Sequence, residues 1–245
     1  MKQFFKFMFA SMLGVFLAFF LGIIVLFGII AALVSSADNK KEAKVEANSV
    51  LYINFETQIN DRSSNNPFEN FDFGSFSGKQ GIGLNDILEN IEKAKTDDNI
   101  KGIYIDLQSV PAGIATIEEI RNKLLEFKEG DSSKFIVAYS EVYSQGAYYL
   151  ASVADEIWLN PEGIVEFKGL GAQVMFFKGL LEKIEVEPQV IRYGKFKSAI
   201  EPFILDKMSE ANREQTMKYM GSIWNNIVKG ISETRHITPA QLNLI

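Results

Sequence analysis

The chain has 245 residues, a formal charge of −6, no cysteine and a single histidine. The lack of cysteine excludes thiol peptidases, cysteine-ligated zinc and disulfide frameworks. One histidine excludes metal sites built from several histidines, and a Ser-His-Asp triad could use only His236. We therefore expect neither a metal nor another cofactor, and any hydrolytic chemistry must use a different base.

An apolar run extends from Phe7 to Val34, with Ser11 as its only clearly polar side chain. As a helix the run would reach about 42 Å, more than the ~30 Å hydrocarbon core of a bilayer. It is longer than the apolar core of a signal peptide, so it predicts an uncleaved transmembrane anchor at 7–34, with the lipid bilayer as a partner. Ser35-Ser36-Ala37 suits a cleavage site, so a removed signal peptide is the alternative.

The charges around the anchor do not decide its orientation. Two lysines and the amino terminus precede the run, and three lysines follow it. The positive-inside count is therefore close to a tie, although a long following domain can be translocated despite such charges.

The rest of the chain is divided into a short flank at 1–6, a polar linker at 35–48 and one domain at 49–245. The residues from 48 onward hold 20 Lys and Arg against 28 Asp and Glu. A sequence-independent nucleic-acid binder needs a basic surface, so we expect no nucleic-acid partner.

Short strands and amphipathic helices alternate along the domain. Strands are predicted at 50–55, 102–107, 135–139, 156–159 and 188–193, and helices at 84–94, 116–127, 147–153, 176–184 and 209–231. Thr116 and Glu119 make a capping-box pattern at the start of the second helix, and Asn160-Pro161 is predicted to end the fourth strand. The alternation is typical of an α/β fold with a mostly parallel sheet.

A long loop, Asn60 to Gln80, contains phenylalanines at 68, 71, 73 and 76. A loop of this length in a compact domain is usually functional or disordered. We expect its phenylalanines to pack on the domain's own surface, and contact with a partner, a lipid surface or an apolar peptide is the alternative.

Two strand-to-helix turns could carry chemistry. Gln108-Ser-Val-Pro-Ala-Gly113 could bind an oxyanion through backbone N–H groups, or could be an ordinary turn in which Gly113 relieves strain. Ser144 could be a nucleophile on the second turn, but the surrounding residues lack the G-x-S-x-G pattern and a helix N-cap is favoured.

A third candidate is Lys197, in the stretch Arg192-Tyr-Gly-Lys-Phe-Lys-Ser-Ala-Ile-Glu-Pro-Phe203. A lysine serves as a base only if burial or a nearby cation favours its neutral form. The aromatic neighbours of Lys197 and the adjacent Lys195 could supply both influences. The alternative is a solvated lysine paired with Glu201 at i+4.

The same stretch closely resembles the lysine-bearing motif of the signal peptide peptidase A family, also called protease IV. The similarity continues through Tyr143-Ser-Gln-Gly-Ala-Tyr-Tyr-Leu-Ala-Ser152, Ile157-Trp-Leu-Asn-Pro-Glu-Gly163, Gly169-Leu-Gly-Ala and Met208-Ser. The resemblance implies a membrane-anchored bacterial serine endopeptidase that degrades cleaved signal peptides. It implies a crotonase/Clp-protease-like α/β unit, preceded by one transmembrane helix, on the extracytoplasmic side of the inner membrane.

That family uses a Ser/Lys dyad, and Lys197, not Lys195, matches its general base. Gln145 stands where the catalytic half of the long form carries the nucleophilic serine, and Pro111-Ala-Gly113 replaces a Pro-Gly-Gly of the oxyanion site. The resemblance thus implies the N-terminal half of the long form, inactive alone, with apolar signal-peptide fragments as substrate and a homo-oligomer as the assembly. We infer a fragment or a truncated product.

Two alternatives differ in class from this peptidase. The first is a non-catalytic, membrane-tethered crotonase-like module that binds apolar peptides or acts as a scaffold, which the missing nucleophile favours. The second is an acyl-CoA enzyme of the same superfamily, which an anchored outside domain disfavours because CoA would be out of reach.

Overall fold

A 36-residue helix, α1 (Lys2–Ala37), occupies the N-terminal part of the chain. The structure, a computed structural model, describes residues 2–37, 44–55, 57–63, 71–72, 77–78, 82–108 and 110–244. The stretch Lys2–Ala31 is long and apolar enough to cross a membrane, and its apolar window is not buried in the protein. The predicted apolar segment at 7–34 therefore lies within one continuous helix.

A four-stranded parallel sheet forms the centre of the domain. Its strands are β1 (Ser49–Asn54), β4 (Ile100–Asp106), β5 (Phe135–Tyr143) and β6 (Glu156–Val165), in that spatial order. All three neighbouring pairs are parallel, so the predicted α/β class with a mostly parallel sheet is confirmed. Two shorter strands, β2 (Phe71–Asp72) and β3 (Ser77–Gly78), pair in antiparallel fashion.

Three helices connect the parallel strands: α2 (Leu84–Thr96), α3 (Ile114–Gly130) and α4 (Gln145–Ala151). α2 packs on α3 and α3 packs on α4, as expected where consecutive right-handed crossovers run in one direction across a sheet and place their helices on one face. Their apolar residues recur at helical spacing and form the core with β4 and β5. Fully buried members of this core are Ile91, Ile103, Ile105, Ile120, Leu124, Phe127 and Ile136.

Four further helices follow the sheet: α5 (Lys178–Lys183), α6 (Glu201–Ile204), α7 (Glu210–Arg235) and α8 (Pro239–Leu242). The last turns of α7 complete the core through Ile227, Val228 and Ile231. Earlier parts of α7 remain exposed, with Met217 and Tyr219 at 61% and 67% of full exposure.

Buried Arg121 connects three of these helices. Its guanidinium donates to the carbonyls of Gly230 at 2.6 Å and Tyr149 at 3.3 Å, and it lies 4.8 Å from the centre of the Tyr149 ring. Desolvation lowers the pKa of Arg121. The carbonyl groups and the ring thus hold this buried cation among α3, α4 and α7.

Three local predictions were wrong. The second helix begins at Ile114 with Gly113 as its N-cap and without a side-chain cap, so Thr116 and Glu119 form no capping box. β6 continues past Asn160-Pro161 to Val165. Its pairing with β5 is interrupted by an irregularity between Ser140 and Val142 and resumes where Val142 pairs with Ile164. Residues 188–193 form no strand, since no described strand pairs with them.

The predictions for the loop Asn60 to Gln80 lie mostly outside the described residues. The described part contains β2, β3 and a bridge between Asn60 and Gly83. Where the phenylalanines of the loop pack is therefore still a prediction. The same holds for the linker at 35–48, of which 38–43 lie outside the described residues.

Candidate functional site

Lys197 lies between α5 and α6 in a segment that contains only turns and irregular backbone. Gly194 makes the decisive turn with a φ of +109°, a conformation that favours glycine. The backbone N–H of Lys197 donates to the carbonyl of Gly194 at 3.4 Å, and Arg192 Nη1 donates to the carbonyl of Lys197 at 3.4 Å. The sequence thus folds the backbone around Lys197 into a local hydrogen-bonded loop.

The side chain of Lys197 is exposed in this chain. Its aromatic neighbours do not enclose it, because Tyr193 is 95% exposed and Phe203 stacks on Phe177 with ring centres 5.9 Å apart. The local sequence therefore does not supply the burial that a lysine base needs, and this part of the sequence-based argument was wrong for the isolated chain.

Neighbouring Lys195 is engaged elsewhere. Its Nζ lies 3.5 Å from the Glu214 carboxylate on α7 and 5.0 Å from the centre of the Phe196 ring. Among the described residues, by contrast, no carboxylate forms an ion pair with Lys197. The two lysines of the motif thus have different surroundings.

Glu201 does not pair with Lys197, which contradicts the i+4 alternative. Its buried carboxylate accepts hydrogen bonds from the Ser209 hydroxyl at 2.6 Å, the Ser209 backbone N–H at 3.2 Å and the Asn212 amide at 2.9 Å. Ser209 is also the N-cap of α7 and accepts from the Asn212 N–H. Glu201 therefore fixes the Lys197 segment to the start of α7, a role that the sequence analysis missed.

The electrostatics of Glu201 agree with this geometry. Burial raises the pKa of its carboxyl, but hydrogen bonds from Ser209 and Asn212 outweigh burial, with a smaller contribution from the charge of Arg192, and leave the pKa below its ordinary value. The carboxylate form is therefore the form that this structure favours. The sequence signal that could have indicated the role is the Ser209 N-cap eight residues downstream.

Ser144 is the N-cap of α4, as favoured from the sequence. Its hydroxyl accepts from the Ala147 N–H at 3.3 Å. In the part of the chain that the structure describes, no hydrogen bond or ion pair joins Ser144 to Lys197.

Gln145, which the resemblance matches to the position of the family's nucleophile, has a structural role that the sequence did not indicate. Its side-chain oxygen accepts from the backbone N–H groups of Lys168 at 3.2 Å and Gly169 at 2.9 Å. Gly169 has a φ of +79°, so the chain turns sharply where it meets this amide. Gln145 thus ties the start of α4 to the chain that follows β6.

The other candidate turn contains no strained glycine. Gly113 has a φ of −69° and serves as the N-cap of α3, so the explanation that it relieves strain was wrong. The Pro111 carbonyl accepts from the Ile59 N–H at 3.2 Å, and the Ala112 N–H bonds to the Val110 carbonyl at 2.8 Å.

His236, the single histidine, is the exposed C-cap of α7 with a φ of +55°. Across the described ranges, no group of three or more His, Cys, Asp or Glu residues could hold a metal ion.

Comparisons with known proteins extend the resemblance found in the motifs. Residues 128–245 match peptidase family S49. The chain is 43% identical over 172 residues to Protease 4 of Salmonella typhi, covering 69% of this chain and 28% of that protein. It is 33% identical over 222 residues to Protease 4 of Haemophilus influenzae, covering 89% of this chain and 35% of that protein.

A plant protein is also similar. The chloroplastic serine protease SPPA of Arabidopsis thaliana is 33% identical over 190 residues, covering 78% of this chain and 26% of that protein. The chain thus spans about a third or less of the length of these relatives. The matched family agrees with the expected Clp-protease-like unit. The chain is a signal peptide peptidase A-like protein with a peptidase S49 domain over residues 128–245.

Proposed function

We propose that this chain is the lysine-bearing part of a membrane-anchored serine peptidase that degrades cleaved signal peptides. The observation that carries the proposal is the arrangement of Lys197: its backbone is fixed by Gly194 and Glu201, while its side chain is exposed. A base held in this way can be presented to a second unit. Such a unit would supply both the serine and the burial.

The chemistry is peptide hydrolysis through an acyl-enzyme. Neutral Lys197 Nζ takes the proton of the serine hydroxyl while the serine oxygen attacks the carbonyl carbon of the peptide. The C–N bond then breaks, and the proton passes from the lysine to the leaving amine. A water molecule hydrolyses the ester, with Lys197 again acting as the base.

The features around Gln145 support a division of labour between two units. An amide is no nucleophile, and the adjacent Ser144 hydroxyl caps a helix. We therefore infer that the chain alone is inactive and that a further S49-like unit, with a serine in place of Gln145, completes the site; a homo-oligomer is the assembly that we propose. A non-catalytic, membrane-tethered peptide-binding module is the second candidate, and the Gln145 arrangement is the observation that favours it.

The decisive experiment measures turnover of an apolar peptide by the full-length protein, meaning this chain together with the unit that supplies the serine. The variants compared are Lys197→Ala, Lys197→Arg, Lys195→Ala and Ser144→Ala. We expect both Lys197 variants to lose at least about 100-fold in turnover, because alanine has no base and arginine stays charged. Lys195→Ala and Ser144→Ala should retain most activity. Full turnover by Lys197→Ala would refute the assignment, and failure of the wild type to react with a fluorophosphonate would favour the non-catalytic module.

We also propose that α1 anchors the chain in the bacterial inner membrane with its domain on the extracytoplasmic side. The length and composition of Lys2–Ala31 support the anchor. Because the chain has no cysteine, a single cysteine at exposed Lys207 gives a clean topology probe. Labelling of Lys207→Cys in intact spheroplasts by a membrane-impermeant maleimide is expected, and labelling only after lysis would place the domain inside.

A further inference from the structure

The side of the sheet that faces away from the helical core carries tyrosines and carboxylates. Because Ile103 and Ile105 of β4 are buried in that core, the alternate residues Tyr104 and Asp106 point to the other side. Parallel pairing places Tyr104 beside Tyr52 of β1 and continues the same row to β5 and β6. We call this side the outer sheet face. Its aromatic and charged members are Tyr52, Tyr104, Asp106, Tyr139, Glu156 and Trp158.

The carboxylate of Asp106 is only half satisfied. Its Oδ2 accepts a hydrogen bond from the Tyr52 hydroxyl at 3.0 Å. Its Oδ1 is buried and has no hydrogen-bond partner in the described chain. Burial, and after it the charge of Asp106, raises the pKa of Tyr104, so a protonated phenol lies near the carboxylate. A buried carboxylate oxygen without a donor is costly, and a cationic donor would remove that cost.

Aromatic rings lie around this carboxylate and on the neighbouring strands. The rings of Tyr52 and Tyr104 stack with their centres 5.7 Å apart and their planes 14° apart. Trp158 of β6 donates its indole N–H to the Glu156 carboxylate at 3.0 Å. Tyr52 and Trp158 are 56% and 59% exposed. Exposed aromatic faces attract ammonium and guanidinium groups, and a carboxylate next to them strengthens that attraction.

The charges of the outer sheet face have one sign. Among the described residues that pair across the four strands on this side, none is a lysine or an arginine. Neither Asp106 nor Glu156 forms an ion pair in the described chain. A second copy would bring the same acidic face and a chain of charge −6, so charge disfavours the pairing of this face with itself. Charge complementarity therefore favours a basic partner.

The separation of the two carboxylates suits a peptide. Asp106 and Glu156 lie two strands and one two-residue step apart, which is about 12 Å at ordinary strand dimensions. An extended peptide advances about 3.3 Å per residue, so basic side chains three or four positions apart would reach both carboxylates.

We propose that the outer sheet face binds the basic end of a cleaved signal peptide. One lysine or arginine lies against the Tyr52–Tyr104 pair, and a rotation of the exposed Tyr52 side chain gives its cationic group access to Asp106. A second lies against Trp158 and pairs with Glu156. Signal peptides carry a positively charged region before their apolar core, which is the chemistry that this face would select. The inference rests on the proposed function for the identity of the peptide and on the outer sheet face for its charge.

The test measures binding of a hexapeptide by fluorescence anisotropy to the full-length Lys197→Ala protein in detergent. The hexapeptide consists of alanines with lysines at its second and fifth positions, an amidated end and an uncharged fluorophore. Asp106→Asn should raise its Kd at least tenfold, because the asparagine has no charge. Asp98→Asn is the matched control: Asp98 is an exposed acid at the opposite end of β4, and its variant should stay within twofold.

Two further measurements separate the carboxylates from the rings. Tyr104→Leu keeps an apolar side chain but removes the aromatic face, and it should raise the Kd at least threefold. A peptide with both lysines replaced by glutamine should bind the parent protein at least tenfold more weakly. If Asp106→Asn does not fold by circular dichroism, exposed Glu156→Gln takes its place with the same expected direction.

The outcomes distinguish this inference from the proposed function. Equal Kd values for Asp106→Asn and Asp98→Asn, or equal binding of the lysine and glutamine peptides, would overturn the inference. No binding of the lysine peptide by the parent would also overturn it, and a change of oligomer mass in Asp106→Asn would then assign the face to another subunit. Binding as expected, without signal-peptide hydrolysis by the wild type, would refute the proposed function and leave a site for basic peptides.

Discussion

The Ser209 hydroxyl donates a hydrogen bond to the Glu201 carboxylate, with 2.6 Å between Ser209 Oγ and Glu201 Oε1. This bond joins the Lys197 segment to the start of α7. Glu201 is 3% exposed although it is charged. A charge of this kind stays buried only because its oxygens are satisfied by several donors. The position of the proposed base thus depends on a side chain four residues away that has no part in the chemistry.

Replacing Glu201 with glutamine should destabilise the protein. Glutamine keeps one acceptor oxygen, but its amide nitrogen replaces the other, so at least one of the buried donors on Ser209 and Asn212 would lose its acceptor, and we expect a loss of roughly 2–3 kcal/mol in the free energy of unfolding. Urea denaturation in detergent, followed by circular dichroism, measures the change. Glu210→Gln, at an exposed position in the first turn of α7, is the control and should change stability by less than about 1 kcal/mol. Similar losses in both variants would contradict the role of Glu201.

The same carboxylate predicts a dependence on pH. Because the pKa of Glu201 is lower in the folded protein than its ordinary value of 4.5, its contribution to stability is complete above that value. The contribution of Glu201 to stability disappears as the pH falls through the lowered pKa, because the Glu201 carboxylate is then protonated in the folded protein as well. The stability difference between wild type and Glu201→Gln should therefore be constant from pH 7 to about 5 and shrink in stronger acid. If the stability difference grew on acidification, the pKa of Glu201 in the folded protein would not be lowered, and the prediction would be wrong.

Close packing of α7 on the core predicts opposite effects for two of its glycines. A Cβ at Gly230 would lie 2.8 Å from Tyr149 Cε2 and 3.2 Å from Arg121 Cζ, whereas a Cβ at Gly221 would meet no atom within 4 Å. Gly230→Ala should lose about 1–3 kcal/mol of stability, because a buried cation and a ring must shift. Gly221→Ala should gain up to about 1 kcal/mol from helix propensity. Thermal melts measure the melting temperature of each variant relative to wild type. A shift of both melting temperatures in the same direction would contradict the prediction.

Hydrogen exchange can test the structural role of Gln145. Gln145→Ala removes the acceptor for the N–H groups of Lys168 and Gly169, so these amides should exchange at least about tenfold faster. Ser144→Ala is the reciprocal control: it should accelerate Ala147, whose N–H bonds to the Ser144 hydroxyl, and leave 168 and 169 unchanged. Unchanged exchange at 168 and 169 in Gln145→Ala would refute the contact.

The parts of the fold that follow from periodicity could be predicted from the sequence. Apolar residues recur at helical spacing in α2 and α3, and β4 and β5 are short apolar runs. The positions predicted for the inner face of α3 are all buried: Ile117, Ile120, Leu124 and Phe127. The end of β6 could not be predicted, because pairing with β5 after an irregularity overrides the usual effect of Pro161. Residues 188–193 have the composition of a strand but no strand to pair with in the described chain.

The candidate site was only partly accessible to sequence reasoning. The motif points to Lys197 as the base, which stays a prediction, and the capping preference of serine correctly indicates the role of Ser144. The exposure of Lys197 agrees with the alternative of a solvated lysine, whereas the burial expected from its neighbours is absent, because apolar neighbours in sequence need not surround a side chain in space. The contacts of Glu201 and Gln145 are also absent from any local pattern, since each depends on how two segments come together.

The turn at Gly194 and the bonds of Glu201 have a consequence for assembly. A surface loop normally loses conformational entropy when a partner covers it, and this loss weakens association. Here the backbone on both sides of residue 197 is already restrained within one subunit. If a second unit docks there as proposed, it would need to immobilise little more than the single amine-bearing side chain of Lys197.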